Sequence, residues 1–270
     1  MKSSRVQIVA TIGPASGTHA VLGDMVKHHM DVARFNFSWG THDEHERYIF
    51  ALRQVAREAG VRIPIIQDLS GPRKTTESGH SFDEGQSNTR RGVLTEKDIE
   101  DLRFGLSKGV EYVCVSYIGS QGDVEEAKKA ILEMKGSAKV IAKIERLEAL
   151  ENADLIIASA DAVMIGRGDL AQEVPVEEIP FIQKELIEKC NRARKPVITA
   201  TEMMLSMVSN PRPTRAEVTD VAYAVLCGSD ALMLSEETAR GAYPVETVAA
   251  MEKIALEAER RIPSKRRNFL

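Results

Sequence analysis

The feature that most constrains this chain is a rhythm. Short β-branched apolar runs recur from one end to the other, and each is followed by a longer stretch with helical periodicity. Eight runs read as strands: Val6 to Gly13, Val32 to Phe37, Pro64 to Leu69, Tyr112 to Tyr117, Lys139 to Ile144, Ala162 to Gly168, Pro196 to Thr201 and Ala231 to Ser235. They are continuous apolar segments rather than strict alternations, the pattern of strands covered on both faces. Between them, Ile179, Ile182, Leu186, Ile187 and Cys190 recur at three-or-four spacing, as do Val245, Val248, Met251, Ile254 and Ala258. That spacing gathers the apolar residues on one helix face. Thr41 with Glu44, Thr95 with Asp98 and Thr214 with Glu217 have the spacing of an N-cap and its acidic partner, so they mark three helix starts. Eight βα repeats can open as a doubly wound sheet or close as a barrel, and fitting eight into 270 residues favours closure. The fold class is therefore α/β, a single (β/α)8 barrel over residues 1–262.

Composition narrows the function classes. A hydrophobic content of 43% and a charged content of 28% are those of a globular chain, and no apolar run reaches the roughly 18 residues of a membrane span. The start, MKSSRVQIVATIG, carries an apolar run too short for a secretion signal, so a cytoplasmic location and no membrane partner are expected. Net charge is −4, and the one basic cluster, Arg260, Arg261, Lys265, Arg266 and Arg267, leads into a tail over 263–270. With no aromatic residues interleaved, it reads as a solvated end rather than a nucleic-acid arm. Cys114, Cys190 and Cys227 lie among apolar neighbours with no metal-ligand spacing and are expected to be buried small hydrophobes.

One connection breaks the rhythm. Between Leu69 and Leu94 lies GPRKTTESGHSFDEGQSNTRRGV, polar and longer than an ordinary βα loop. It is expected to be a polar loop over 73–92, either a mobile lid or the place of a lost domain.

In such barrels chemistry gathers at the C-terminal strand ends, where the βα loops converge. Read in order, these ends carry Arg34, Asn36 and Ser38, then Asp68, then Lys143 and Glu145, then Asp169, then Thr201, then Ser235 and Glu237. Lys143 and Glu145 are two apart on one strand, so both side chains point to the same face. They can be an ion-pair strut. They can equally form a site in which Glu145 and Asp169 hold Mg²⁺ while Lys143 stabilises developing negative charge. Gly166 and Gly168 flank Arg167 and allow either a close backbone approach to an anion or simply a tight turn.

The motifs IVATIGPAS (8–16), VARFNFSWG (32–40), DLSGP (68–72), LTEKD (94–98), AKIE (142–145), RGDL (167–170), PVITATEM (196–203), NPRPTRAEVTDVA (210–222) and LSEETARGAYP (234–244) resemble, in order, those of the pyruvate kinase family. The resemblance implies a TIM barrel of the phosphoenolpyruvate/pyruvate type. It also implies Mg²⁺ or Mn²⁺ and K⁺ as cofactors, and phosphoenolpyruvate or pyruvate as substrate, with ADP as a possible second one. Position by position, it makes Lys143, Thr201 and Arg34 catalytic and places Gly168, Asp169, Thr201 and Ser235 at the substrate. It assigns Glu145 and Asp169 to the divalent metal and Asn36, Ser38 and Asp68 to K⁺. The 210–222 stretch resembles a subunit-contact region, which implies a homodimer or homotetramer.

Departures stand beside these matches. The family's lid domain and C-terminal regulatory domain have no counterpart in the chain. Ser70 replaces a lysine, Thr75 stands near a lost arginine that Arg73 or Lys74 would have to replace, Trp39 replaces a histidine, Glu236 a glycine and Leu205 a glutamate. The leading expectation is a pyruvate kinase-like enzyme that works through an Mg-stabilised enolate and transfers phosphoryl to a nucleoside diphosphate. The alternatives are a pyruvate-enolate lyase, aldolase or decarboxylase without nucleotide use, and a catalytically idle barrel serving as a binding partner.

Overall fold

The computed structural model describes residues 4–76, 79–82, 92–262 and 270. The strands, in chain order, are β1 (Gln7–Thr11), β2 (Val32–Asn36), β3 (Ile65–Asp68), β4 (Arg73–Thr76), β5 (Gly79–Phe82), β6 (Tyr112–Val115), β7 (Lys139–Ile144), β8 (Ala162–Gly166), β9 (Val197–Ala200) and β10 (Ala231–Leu234). The helices are α1 (His19–Lys27), α2 (His42–Ala59), α3 (Glu96–Ser107), α4 (Gln121–Glu133), α5 (Leu147–Glu151), α6 (Ala153–Ser159), α7 (Arg167–Leu170), α8 (Ile179–Ala193), α9 (Arg215–Cys227), α10 (Glu236–Ala239) and α11 (Pro244–Glu259). Eight of the strands close a parallel barrel in the order β1-β10-β9-β8-β7-β6-β3-β2, and each corresponds to one of the eight runs read from the sequence.

The remaining strands, β4 and β5, pair antiparallel with Arg73 opposite Phe82 and Thr76 opposite Gly79. Part of the 73–92 segment is therefore a β-hairpin rather than a loop. Its Thr-rich edge has the β propensity to pair, which a reading by polarity alone passes over. Residues 77–78 and 83–91 of that segment, and Lys265, Arg266 and Arg267 in the basic tail, lie outside the described residues.

The three sequence-marked helix starts are all capping boxes. Thr41, Thr95 and Thr214 each accept from the backbone N–H three residues on, while Glu44, Asp98 and Glu217 reach back to the cap. Cys114 and Cys190 are buried as expected, whereas Cys227 is half-buried, because it is the last residue of α9.

The core has two layers, set by the period of two along each strand. One parity, Ile8, Ala10, Ala33, Phe35, Val113, Val140, Val163, Val197 and Leu232, faces the helices and joins their apolar sides. The opposite parity, Val9, Val32, Ile66, Cys114, Ile141, Met164, Ile198 and Met233, fills the barrel interior. Two residues further along, the inward parity reaches Thr11, Arg34, Asp68, Ser116, Lys143 and Ser235. The interior is thus apolar at its floor and polar at the C-terminal mouth.

At the opposite end, Asp31 precedes β2 and accepts from the Ile8 N–H at 2.8 Å. Burial pushes its carboxyl up to about 6, with the Ile8 hydrogen bond and His29 opposing and Glu252 adding to the rise. Because this folded-state value lies above the unfolded one, the contribution is fully present below about pH 4 and is lost as pH rises through 6. Asp31→Asn should therefore gain about 2 kcal/mol over the wild type at pH 7.5 and nothing below pH 4, read from urea midpoints at the two pH values.

Candidate active site

At the mouth, β7 supplies the central pair. Lys143 Nζ lies 2.8 Å from Glu145 Oε2, with the two side chains 8% and 0% exposed. This is a close ion pair, and Glu145 Oε2 is buried with no further hydrogen-bond partner. Glu145 Oε1 accepts from the Tyr117 N–H at 2.8 Å. A Cβ at residue 166 would come within 2.8 Å of Glu145 Oε2 and 2.9 Å of its Cβ, so the glycine there is what lets this carboxylate lie against β8.

Next to this pair lies a second one. Arg34 Nε and Nη2 reach Asp68 Oδ2 at 2.7 and 2.6 Å, and Nη1 donates to Thr11 Oγ1 at 2.9 Å. Ser116 joins the two pairs: its hydroxyl lies 3.3 Å from Asp68 Oδ1, donates to the Leu69 carbonyl at 2.8 Å, and accepts from Lys143 Nζ at 3.4 Å.

Electrostatics follow from this arrangement. Burial alone would favour a neutral amine at Lys143, but the carboxylates of Glu145, Asp68 and Asp169 outweigh it and hold the side chain as an ammonium. Burial likewise opposes ionisation of Asp68, yet Arg34 and Lys143 together keep it below the usual carboxylate range. Glu145 is pushed up by burial, with Lys143 pulling it back and Asp169 adding to the rise. The corner occupied by Glu145 and Asp169 is thus short of positive charge.

Asp169 lies on α7, at the end of β8, and its Oδ1 is 3.5 Å from the Tyr117 hydroxyl. Tyr117 therefore bridges the two acids, with its backbone to Glu145 and its phenol to Asp169. Its ring also carries the Arg73 guanidinium, 5.5 Å from the centroid, while Arg73 Nε donates to the Ser70 carbonyl at 2.7 Å. Thr201, just past β9, has a left-handed backbone with φ +73, and Glu202 follows at φ +54. For a β-branched residue this is an outlier that costs on the order of 1–3 kcal/mol. A Cβ on Gly168 would lie 2.7 Å from Thr201 Cγ2, so the two residues are in direct contact.

At the β2 end, Ser38 Oγ is buried and lacks a hydrogen-bond partner, while its N–H donates to Asn36 Oδ1 at 3.1 Å. Ser235 donates its N–H to Glu237 Oε2 at 2.7 Å, and Glu237 Oε1 accepts from the Met204 N–H at 3.1 Å. Glu237, a strand-end acid in the sequence, thus serves as a tie between the β9 and β10 loops.

The donor set fits the cofactors that the residue pattern implies. Glu145 and Asp169 are two carboxylates in a corner short of positive charge, one of them with an open lone pair, and Mg²⁺ prefers one or two carboxylates with the remaining positions left to water and substrate. The orphaned Ser38 hydroxyl beside Asn36 suits a monovalent cation. Among the described residues no group of three or more His, Cys, Asp or Glu side chains forms an all-protein metal cage.

The family described as "Pyruvate kinase, barrel domain" matches residues 3–90 and 84–248. The chain belongs to the pyruvate kinase family. It is 37% identical to the pyruvate kinase of Sporosarcina psychrophila and to pyruvate kinase 2 of Synechocystis, and 33% identical to the pyruvate kinase of Staphylococcus aureus strain MRSA252. In each comparison 94% of this chain is covered but only 57% of the relative, so the chain spans little more than half the length of these kinases. An alignment of 334 positions that uses 94% of a 270-residue chain leaves about 80 positions without a counterpart here. The two matched pieces meet at residues 84–90, after β5.

Sequence reading missed Thr11, Ser116 and Tyr117, on the ends of β1 and β6, where it singled out no residue. The available signal was a hydroxyl residue at inward parity closing an apolar run. The buried pair gives a stability test. Lys143→Met should cost about 3 kcal/mol by stranding Glu145, and Lys143→Met with Glu145→Leu should recover most of that loss, both measured by denaturant unfolding without divalent cation.

Proposed function

We propose that this mouth acts on phosphoenolpyruvate and pyruvate, and that the reaction is pyruvate kinase-like phosphoryl transfer to a nucleoside diphosphate. The observation that carries the reading is Lys143, an ammonium held charged inside the barrel beside a carboxylate with an open lone pair. In the forward direction the bond between phosphorus and the enol oxygen breaks, and phosphorus bonds to the terminal oxygen of the diphosphate. The enol oxygen keeps the electron pair, and the enolate takes a proton at C3 to give pyruvate.

Lys143 holds the charge that develops on that oxygen, in a dry site where a fixed cation is worth far more than in water. Glu145 and Asp169 would hold Mg²⁺ or Mn²⁺, and Asn36, Ser38 and Asp68 would hold K⁺. When bound, the divalent ion supplies Lewis-acid stabilisation of substrate oxygens. Thr201 lies against Gly168 and orients the methyl end of pyruvate, while Gly168, Asp169 and Ser235 face the carboxylate end. Arg34, paired with Asp68, is the cation nearest the K⁺ residues and is available to phosphate only by exchanging that partner. A homodimer or homotetramer and a cytoplasmic location belong to the same proposal.

A specific observation favours a second reading, a lyase, aldolase or decarboxylase that keeps the enolate and dispenses with the nucleotide. The alignments with the relatives contain about 80 positions without a counterpart here, and the family match is split at residues 84–90, just after the hairpin. A nucleotide cover of that kind normally excludes water. Titration calorimetry with Mg-ADP separates the two: binding in the micromolar range supports the kinase, and no heat supports the second reading.

Both readings share enolisation. Pyruvate incubated with the protein, Mg²⁺, K⁺ and phosphate in D₂O should become deuterated at its methyl group, followed by proton NMR. Glu145→Gln should abolish the exchange, and Lys143→Met should slow it by about 10²- to 10³-fold. Exchange no faster than a protein-free metal control would overturn both.

A further inference from the structure

Thr201 has an unfavourable backbone, and something must hold it there. Arg167 supplies that hold. Its side chain is only 10% exposed. Nη2 donates to the Thr201 carbonyl at 2.6 Å, and Nε lies 3.2 Å from the same oxygen and 3.1 Å from the Ala200 carbonyl. Nη1 is anchored in turn by Asp220 Oδ1 at 2.8 Å, from α9, and by Gln183 Oε1 at 3.0 Å, from α8. Nη2 also touches Met203 Sδ at 2.9 Å.

We infer that Arg167 is a positioning residue that holds Thr201 in its left-handed conformation and so fixes its side chain over the substrate. The guanidinium meets the Thr201 carbonyl twice in the conformation with φ +73, so both contacts stabilise that conformation. Arg167 and Gly168 are consecutive and act from two sides. The arginine grips the Thr201 carbonyl, and the bare Cα of the glycine seats Cγ2, where any side chain would collide. A planar fork can hold two adjacent carbonyls and a carboxylate at once, which a lysine cannot. Asp220 and Gln183 lie on the outer helices, so the conformation of a residue at the mouth is set by the packing of α8 and α9 on the barrel. The inference deepens the proposed function and rests on it for the role of Thr201, but the conformational hold is independent of any ligand.

Two measurements test it on the full chain. The first needs no substrate: in protein carrying ¹³C-methyl threonine, with the Thr201 signal assigned by its loss in Thr201→Ala, Arg167→Met should shift that methyl resonance. Arg167→Lys and Asp220→Asn should shift it less and in the same direction. An unmoved resonance in Arg167→Met would overturn the inference, even if the wild type proved unable to enolise pyruvate. If Arg167→Met does not fold, Asp220→Asn carries the same test.

The second measurement uses pyruvate deuteration. Arg167→Met should lower the maximal exchange rate on the order of 10²-fold with little change in the pyruvate concentration at half-maximal rate. It should also add nothing to Thr201→Ala in the double variant, because it acts through that residue. Equal losses in the wild-type and Thr201→Ala backgrounds would show a general structural role and sink the proposal. Absence of exchange in the wild type would instead strike the proposed function and leave the methyl shift to decide.

Discussion

Everything at the mouth depends on the closure of the sheet. β1 pairs with β10 in register from Gln7 opposite Ala231 to Ala10 opposite Leu234, so the first and last strands of the barrel share one ladder. Closure removes both sheet edges, which would otherwise present unpaired backbone groups. It also turns a period of two into an inside and an outside. Once the interior parity is filled at the floor by Val9, Ile66, Ile141 and Met164, the next inward positions have nowhere to go but the mouth. The seam is stitched at that level: Thr11 donates to the Leu234 carbonyl and Thr238 donates to the Thr11 carbonyl, both at 2.8 Å.

That geometry forces charges into a place where charge is expensive. Arg34 and Asp68 neutralise each other, and Ser116 supplies a further hydroxyl to Asp68. Lys143 faces Glu145, but Asp169 adds a negative charge to the same corner without adding a cation. A fully compensated ion-pair strut would have no such imbalance, and breaking one is costly because it leaves a buried charge alone. The imbalance here is local and one-sided, which is what the proposed cation site would need. The ammonium survives burial because the carboxylates of Glu145, Asp68 and Asp169 act on it together.

Much of this was legible in the sequence, for reasons that follow from the same period of two. Eight apolar runs gave eight barrel strands because strands covered on both faces are mostly apolar, with charged residues concentrated where the inward parity reaches the mouth. The three Thr-x-x-acid pairs gave three capping boxes because the cap is satisfied locally, with no help from tertiary structure. Lys143 and Glu145 were readable as neighbours because strand parity alone places them on one face. Partnerships across strands were not readable. That Arg34 is spent on Asp68, that Ser116 links two ion pairs, and that Tyr117 joins Glu145 to Asp169 all depend on the register between strands, which no single run encodes. The backbone of Thr201 was hidden for a different reason. Threonine is a poor residue for positive φ, so its own propensity argues against the conformation that Arg167, a residue far away in sequence, imposes.

The excursion between β3 and α3 shows how such a site can keep its frame while its cover changes. Asp98 is fully buried and clasps both ends of the excursion. Its Oδ1 accepts from the Gly71 N–H at 3.1 Å, and its Oδ2 accepts from the N–H and hydroxyl of Thr95 at 2.9 and 2.6 Å. Gly71 can make this turn because its φ is +68, where a Cβ would also press on Ser116 and Tyr117 at 3.0–3.2 Å. Lys97 adds a second clasp, donating to the Phe37 carbonyl at 2.7 Å and meeting Asp101 at 2.5 Å. With the two ends fixed to each other by barrel residues, the length of chain between them enters stability only through loop-closure entropy, which grows slowly with length. The family match is split at residues 84–90, within this excursion, so a difference in length there leaves the clasped ends in place. The frame that holds the charges is physically separable from the excursion, because Asp98 ties Gly71 to Thr95 at its base.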